Sequence, residues 1–141
     1  MSTSERGTMP KRQRLRILIA EDHAFVRKQV RMMLERSPQF AVIAEAQDGA
    51  QAVEYAMRLK PDVVVLNLSM PVLNGIDAAR EIKARIPQSS IVILSSHADQ
   101  QFVDLAKQHG VCAYISKTKV ADGLAQAIEA AVLGEEFVLV N

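Results

Sequence analysis

Two adjacent carboxylates, Glu21 and Asp22, follow directly on the apolar run "LRILIA". Three other apolar runs end in groups able to take part in the same chemistry: "DVVVLN" at Asn67, "SIVILS" at Ser95 with Ser96 behind it, and "CAYIS" at Ser116 with Lys117 behind it. Adjacent acids repel bare phosphate but suit a hard divalent cation, which prefers oxygen ligands. A nucleotide or flavin site in an open α/β sheet wants a glycine- or hydroxyl-rich loop offering backbone N–H groups to phosphate. "AEDHAF" offers two negative charges and no glycine. The acid pair therefore points to a magnesium site, with Lys117 placed to meet an anion across from it. Singly, each residue has a plain alternative: Asp22 as a helix cap, Ser95 as the end of a strand, Lys117 as a surface lysine. Their coincidence at strand ends is what carries the argument.

Positioning these groups requires a particular scaffold. Residues 15–20, 40–46, 62–67, 90–95 and 112–116 read as strands, and the unbroken apolar run at 62–67 suits a strand buried on both faces. Helices are expected over 23–36, 49–60, 74–86, 99–110 and 119–133. Pro38, Pro61 and Pro87 stop three of them, Asp48 is a cap candidate, and Gly110 stands where a C-terminal cap glycine belongs. Strict alternation with short connections predicts an α/β fold: a doubly wound five-stranded parallel sheet, order 2-1-3-4-5, flanked by five helices. The crevice of such a sheet lies outside the carboxyl ends of its strands, where the order reverses between strands one and three.

The 141 residues suit one domain, and a composition 49% hydrophobic and 23% charged is that of an ordinary globular chain. Four phenylalanines, two tyrosines and no tryptophan leave little for stacking single-stranded nucleic acid. No apolar run is long enough to span a bilayer, and "MSTSERGTMPKRQRLR" lacks the apolar core of a secretory signal, so a cytoplasmic location is expected. The single Cys112 excludes an internal disulfide, and the scattered His23, His97 and His109 do not make a metal cluster. The net charge of +1 hides a basic N-terminal stretch, residues 1–16, carrying Arg6, Lys11, Arg12, Arg14 and Arg16 against Glu5 alone. That stretch reads as a solvated segment rather than a nucleic-acid contact. The expected division is a leader over 1–14, a domain over 15–134 and a C-terminal tail over 135–141.

Together "ILIAEDH", "DVVVLNLSMPVLNGIDAAREI", "IVILSSH" and "CAYISK" resemble a response-regulator receiver domain, CheY-like, of the type found in LuxR/NarL regulators. The resemblance implies a two-component signalling function. Glu21 and Asp22 match the acids that hold Mg2+, with the main-chain carbonyl of Ser69 and position 67 as further metal ligands. Ser95 matches the hydroxyl that bonds the phosphoryl group, Lys117 the lysine that pairs with it, and Tyr114 the aromatic switch residue. Gly75 matches the glycine after the active-site loop. Ser96 is small enough to admit a phosphodonor, and Ser69 and His97 match positions that tune water access.

Asn67 departs from the pattern, since relatives carry an aspartate phosphoacceptor there. An amide is a very poor nucleophile for phosphoryl transfer, and its oxygen binds magnesium without charge attraction. Phosphorylation at 67 is therefore expected to be blocked, metal binding weakened, and the resting state mainly inactive. Three origins stay open: an isolated, engineered change that silences a receiver, a natural pseudo-receiver acting as a phosphate-independent adaptor, and an unusual variant that uses another acceptor. A magnesium-dependent phosphohydrolase would need the carboxylate that Asn67 removes. The expected partners are a sensor histidine kinase or phosphotransfer protein, or a second copy through helix 4–strand 5–helix 5 or helix 1–helix 5. Neither nucleic acid nor membrane is an expected partner.

Overall fold

The computed structural model describes residues 14–96, 99–111 and 113–140. Strands and helices alternate along the chain: β1 Leu15–Ala20, α1 Ala24–Glu35, β2 Phe40–Ala46, α2 Gly49–Leu59, β3 Val63–Asn67, α3 Gly75–Arg85, β4 Ser90–Ser95, α4 Gln100–Gln108, β5 Ala113–Ser116, α5 Val120–Leu133 and β6 Phe137–Leu139. One 3-10 turn, Lys117–Lys119, joins β5 to α5. The sheet runs β2-β1-β3-β4-β5-β6 and every neighbouring pair is parallel. The expected order of the five core strands holds, and a short sixth strand, from the segment read as a tail, extends it. Consequently β5 is not the edge of the sheet.

The strands are almost wholly apolar because both faces are covered. Odd and even residues of β1 divide cleanly: Leu18 and Ala20 join the core beneath α2, α3 and α4, while Ile17 and Ile19 join the core beneath α1 and α5. The same alternation sends Val64 and Leu66 of β3 to the first core and Val63 and Val65 to the second. Leu66, Ile93 and Tyr114 are among the largest side chains that are fully enclosed.

The punctuation read in the sequence acts as expected. Asp48 caps α2 by accepting a hydrogen bond from the Gln51 N–H at 2.8 Å. Asp48→Ala is therefore expected to lower stability by about 1 kcal/mol, read from the denaturant midpoint. Gly110 takes a left-handed φ of 86° just past α4. All peptide bonds among the described residues are trans, including Lys117–Thr118. Asp22, by contrast, does not cap α1: the N-cap residue is His23, without a side-chain cap bond.

Candidate functional site

At the carboxyl ends of β1, β3, β4 and β5 the chain leaves the sheet with its polar residues facing one another. β1 delivers Glu21, whose backbone N–H donates to the Ala46 carbonyl at 3.0 Å, prolonging the ladder by one residue. The Glu21 side chain is 1% exposed, while Asp22 remains partly exposed. β3 delivers Asn67, 3% exposed. From Asn67 the loop turns through Ser69 and back to α3, where the Gly75 N–H donates to the Leu68 carbonyl at 2.8 Å.

The Asn67 amide sits at the centre of the cluster. Its Nδ2 donates to Ser69 O at 2.7 Å, to Asp22 Oδ1 at 3.1 Å and to Glu21 Oε2 at 3.2 Å. An amide N–H2 is the only end of this side chain that suits three acceptors, so its orientation is set by the network. Lys117 Nζ lies 3.0 Å from the other carboxylate oxygen, Glu21 Oε1. That contact is an ion pair with poor hydrogen-bond geometry, and it leaves Oε1 without a hydrogen bond. A buried carboxylate lacking a counter-charge would be costly, and Lys117 supplies that charge.

His23 closes the exposed side, with Nδ1 3.3 Å from Glu21 Oε2 and 3.5 Å from Asp22 Oδ1. Burial pushes the Asp22 carboxyl up, but its contact with Glu21, the hydrogen bonds it accepts from backbone N–H and the Asn67 amide, and the nearby His23 hold it below its ordinary value. Glu21, Asp22 and His23 each bring one ligand atom within 4.8 Å of the others. The two carboxylates and the Ser69 carbonyl form the oxygen-rich donor set that a hard divalent cation takes. Their focus, however, is filled by the Asn67 amide nitrogen.

Behind this cluster Ser95 is fully buried, and its hydroxyl hydrogen-bonds the Tyr114 phenol. Burial pushes the Tyr114 phenol up, the Ser95 bond opposes this, and the charge of Asp99 adds to it. Ser96 is exposed. His97 lies outside the described residues. The structure thus brings Glu21, Asp22, Asn67, Ser69 and Lys117 together and sets Ser95 and Tyr114 in a second, adjoining pair.

Sequence reasoning missed Arg27. Its guanidinium donates to the Glu21 carbonyl at 2.7 Å and to Glu45 Oε1 at 2.9 Å. It therefore ties the acid-pair loop to α1 and β2. Its position one turn past His23, on a helix start beside the pocket, was the available signal.

The loop at the mouth also holds Val72 at φ 70°, with its side chain largely exposed. A β-branched residue is strained in that region.

The likeness to known proteins agrees with this geometry. Residues 17–129 match the family model described as response regulator receiver domain. The chain is 32% identical over 125 residues to the transcriptional regulatory protein DegU of Brevibacillus brevis, covering 89% of this chain and 53% of that protein. It is 40% identical over 117 residues to the transcriptional regulatory protein PdtaR of Mycobacterium tuberculosis, covering 83% of this chain and 56% of that one. It thus spans about half the length of these curated relatives. A crystal structure of a LuxR-family two-component response regulator from Aurantimonas sp. SI85-9A1 superposes with a TM-score of 0.84 at 34% identity, covering 89% of each chain. No helix among the described residues is long and apolar enough to cross a membrane. With its doubly wound sheet, its acid pair at the β1 end and this family match, the chain belongs to the response regulator receiver domains.

Proposed function

We propose that this is a two-component receiver domain in which phosphorylation on the third strand is blocked. The observation that carries the reading is the Asn67 amide, donating to Glu21, Asp22 and Ser69 at the point where those oxygens converge. In this reading position 67 is the phosphoacceptor position. A receiver takes a phosphoryl group on a carboxylate whose negative oxygen attacks phosphorus. An amide oxygen carries no full charge and its nitrogen lone pair is delocalised, so the attack does not occur. Ser95 and Lys117 would receive the phosphoryl group in a charged relative, and Tyr114 would follow Ser95. Ser69, Ser96 and His97 would line the approach of donor and water.

Glu21, Asp22 and the Ser69 carbonyl would hold Mg2+, which supplies charge neutralisation when bound. To admit it, the Asn67 amide must turn and give up its three hydrogen bonds, while contributing no charge of its own. Magnesium binding is therefore weak. The ion pair from Lys117 to Glu21 and the amide bonds keep the pocket internally satisfied instead.

The domain acts through protein contacts. Its partners are a sensor kinase, a phosphotransfer protein or a second copy, with α1 and α5 as one contact surface. The isolated-change reading is favoured over a long-standing pseudo-receiver because Glu21, Asp22, Ser95 and Lys117 all remain at their strand ends.

The test is intact mass after incubation with acetyl phosphate and magnesium, on this chain and on Asn67→Asp in parallel. The expected result is no mass gain for the parent chain and one base-labile phosphoryl group for the Asp variant. Gain by neither chain would favour the phosphate-independent adaptor. Phosphorylation of the parent chain would overturn the reading.

A further inference from the structure

β6 is the element that neither the pocket nor the five-strand core requires. It is only three residues long, yet it is bound at several points. Ala113, Tyr114 and Ile115 of β5 pair in register with Phe137, Val138 and Leu139. Phe137 and Leu139 pack into the core beneath α5, and Val140 packs against the core on the opposite face, which contains Tyr114. Lys107 of α4 forms an ion pair with Glu136 at the entry to the strand.

α5 is shaped to accept the strand. A Cβ on Gly123 would lie 2.7 Å from Leu139 Cδ2 and 3.2 Å from Ile115 Cδ1. A glycine inside a helix costs about 1 kcal/mol relative to alanine, so its presence here fits a seat for Leu139.

The side chain most affected is Tyr114. Paired residues on neighbouring strands stand side by side on one face, about 5 Å apart. Tyr114 and Val138 are such a pair, and alternation places Val140 on that same face. Without β6, strand β5 would end the sheet and the flank of the Tyr114 ring would meet solvent. With β6, Tyr114 is 1% exposed and stays hydrogen-bonded to Ser95.

We propose that β6 is a built-in latch that holds the Tyr114 ring in its buried, Ser95-bonded position without any phosphate. Release of β6, not chemistry at Asn67, then frees the ring and uncovers the β5 edge. The signalling weight of the ring rests on the role given to Tyr114 above; the latch itself does not.

The test uses the full chain carrying Tyr55→Phe, which leaves Tyr114 as the sole tyrosine in a chain without tryptophan. Leu139→Asp is introduced from the strand side and, separately, Gly123→Leu from the helix side. Amide hydrogen exchange reports whether residues 137–139 are released, and acrylamide quenching of tyrosine emission reports the ring. The expected result is loss of protection over 137–139, an unchanged β1, β3 and β4, and quenching raised about threefold as local opening exposes the ring.

Release of β6 with Tyr114 still shielded would overturn the latch. So would both variants retaining a protected β6, or both losing the whole sheet, since β6 would then be an integral strand rather than a releasable one. None of these readouts involves phosphorylation or metal, so they fail independently of the mass experiment.

Discussion

Asn67→Asp is expected to destabilise the domain in chelator and to make it magnesium-dependent. The parent amide donates to two carboxylates and a carbonyl. Aspartate at the same place replaces a donor with a third negative charge beside Glu21, which is 1% exposed. Unit charges about 4 Å apart repel by about 4 kcal/mol at an effective dielectric near 20. The Lys117 charge offsets much of this, leaving a net loss of about 2 kcal/mol. For a domain of this size that lowers the melting temperature by roughly 7 °C. Magnesium at a hundredfold excess over its dissociation constant would return about 2.7 kcal/mol. The parent chain should move by less than about 1 °C under the same addition, because binding there is weak. Thermal melts in chelator and in magnesium decide the matter. Equal magnesium responses in the two chains would show that the Asn67 amide does not exclude the ion.

Gly75→Ala should be strongly damaging despite adding a single methyl group. A Cβ at Gly75 would lie 2.3 Å from the Asn67 carbonyl oxygen and 3.0 Å from Leu68 Cα. Both neighbours are backbone, one of them in the buried strand that carries Asn67, so neither can swing away. Relieving the clash means pushing α3 from β3 and breaking the Gly75 N–H bond to the Leu68 carbonyl. The expected cost is about 3 kcal/mol or more, a melting temperature lower by roughly 10 °C. Gly134→Ala is the control. Gly134 has open space around its Cβ position but a φ of +73°. It should lose only about 1 kcal/mol, from conformation alone. If both variants melt alike, close approach at Gly75 is not what demands glycine there.

Much of this was legible in the chain. Continuous apolar runs bounded by prolines and an Asp48 cap sufficed for β1 to β5 and for the five helices, because each is covered on the faces its pattern demands. The pocket residues were legible because strand ends in a doubly wound sheet have only one place to go. What the sequence obscured was contact between groups. Nothing in "VVVLN" says that the amide nitrogen rather than its oxygen faces Glu21 and Asp22. That depends on the distances set by the β1–β3 register, Ala20 opposite Leu66. β6 was read as a tail because three residues fall below the length at which periodicity speaks. Its alternating "FVLV" was the available signal, and Gly123, a helix-interior glycine with no local reason, was the second. The Arg27 clamp was hidden for the same reason as the amide: its partners Glu21 and Glu45 come from two other elements.

The all-parallel sheet also dictates an order of events for the growing chain. No two consecutive strands can zip together as a hairpin; each pairing waits for an intervening helix, and the central β1–β3 pair joins Ile17 to Val63. Such topologies fold more slowly than ones rich in local contacts. During synthesis the acid pair emerges first, Asn67 follows with β3, and Lys117 arrives only when β5 is complete. Until then Glu21 has no lysine to neutralise it, and β6, which pairs with β5 alone, cannot dock. A partly made chain therefore carries neither the finished pocket nor the covered Tyr114.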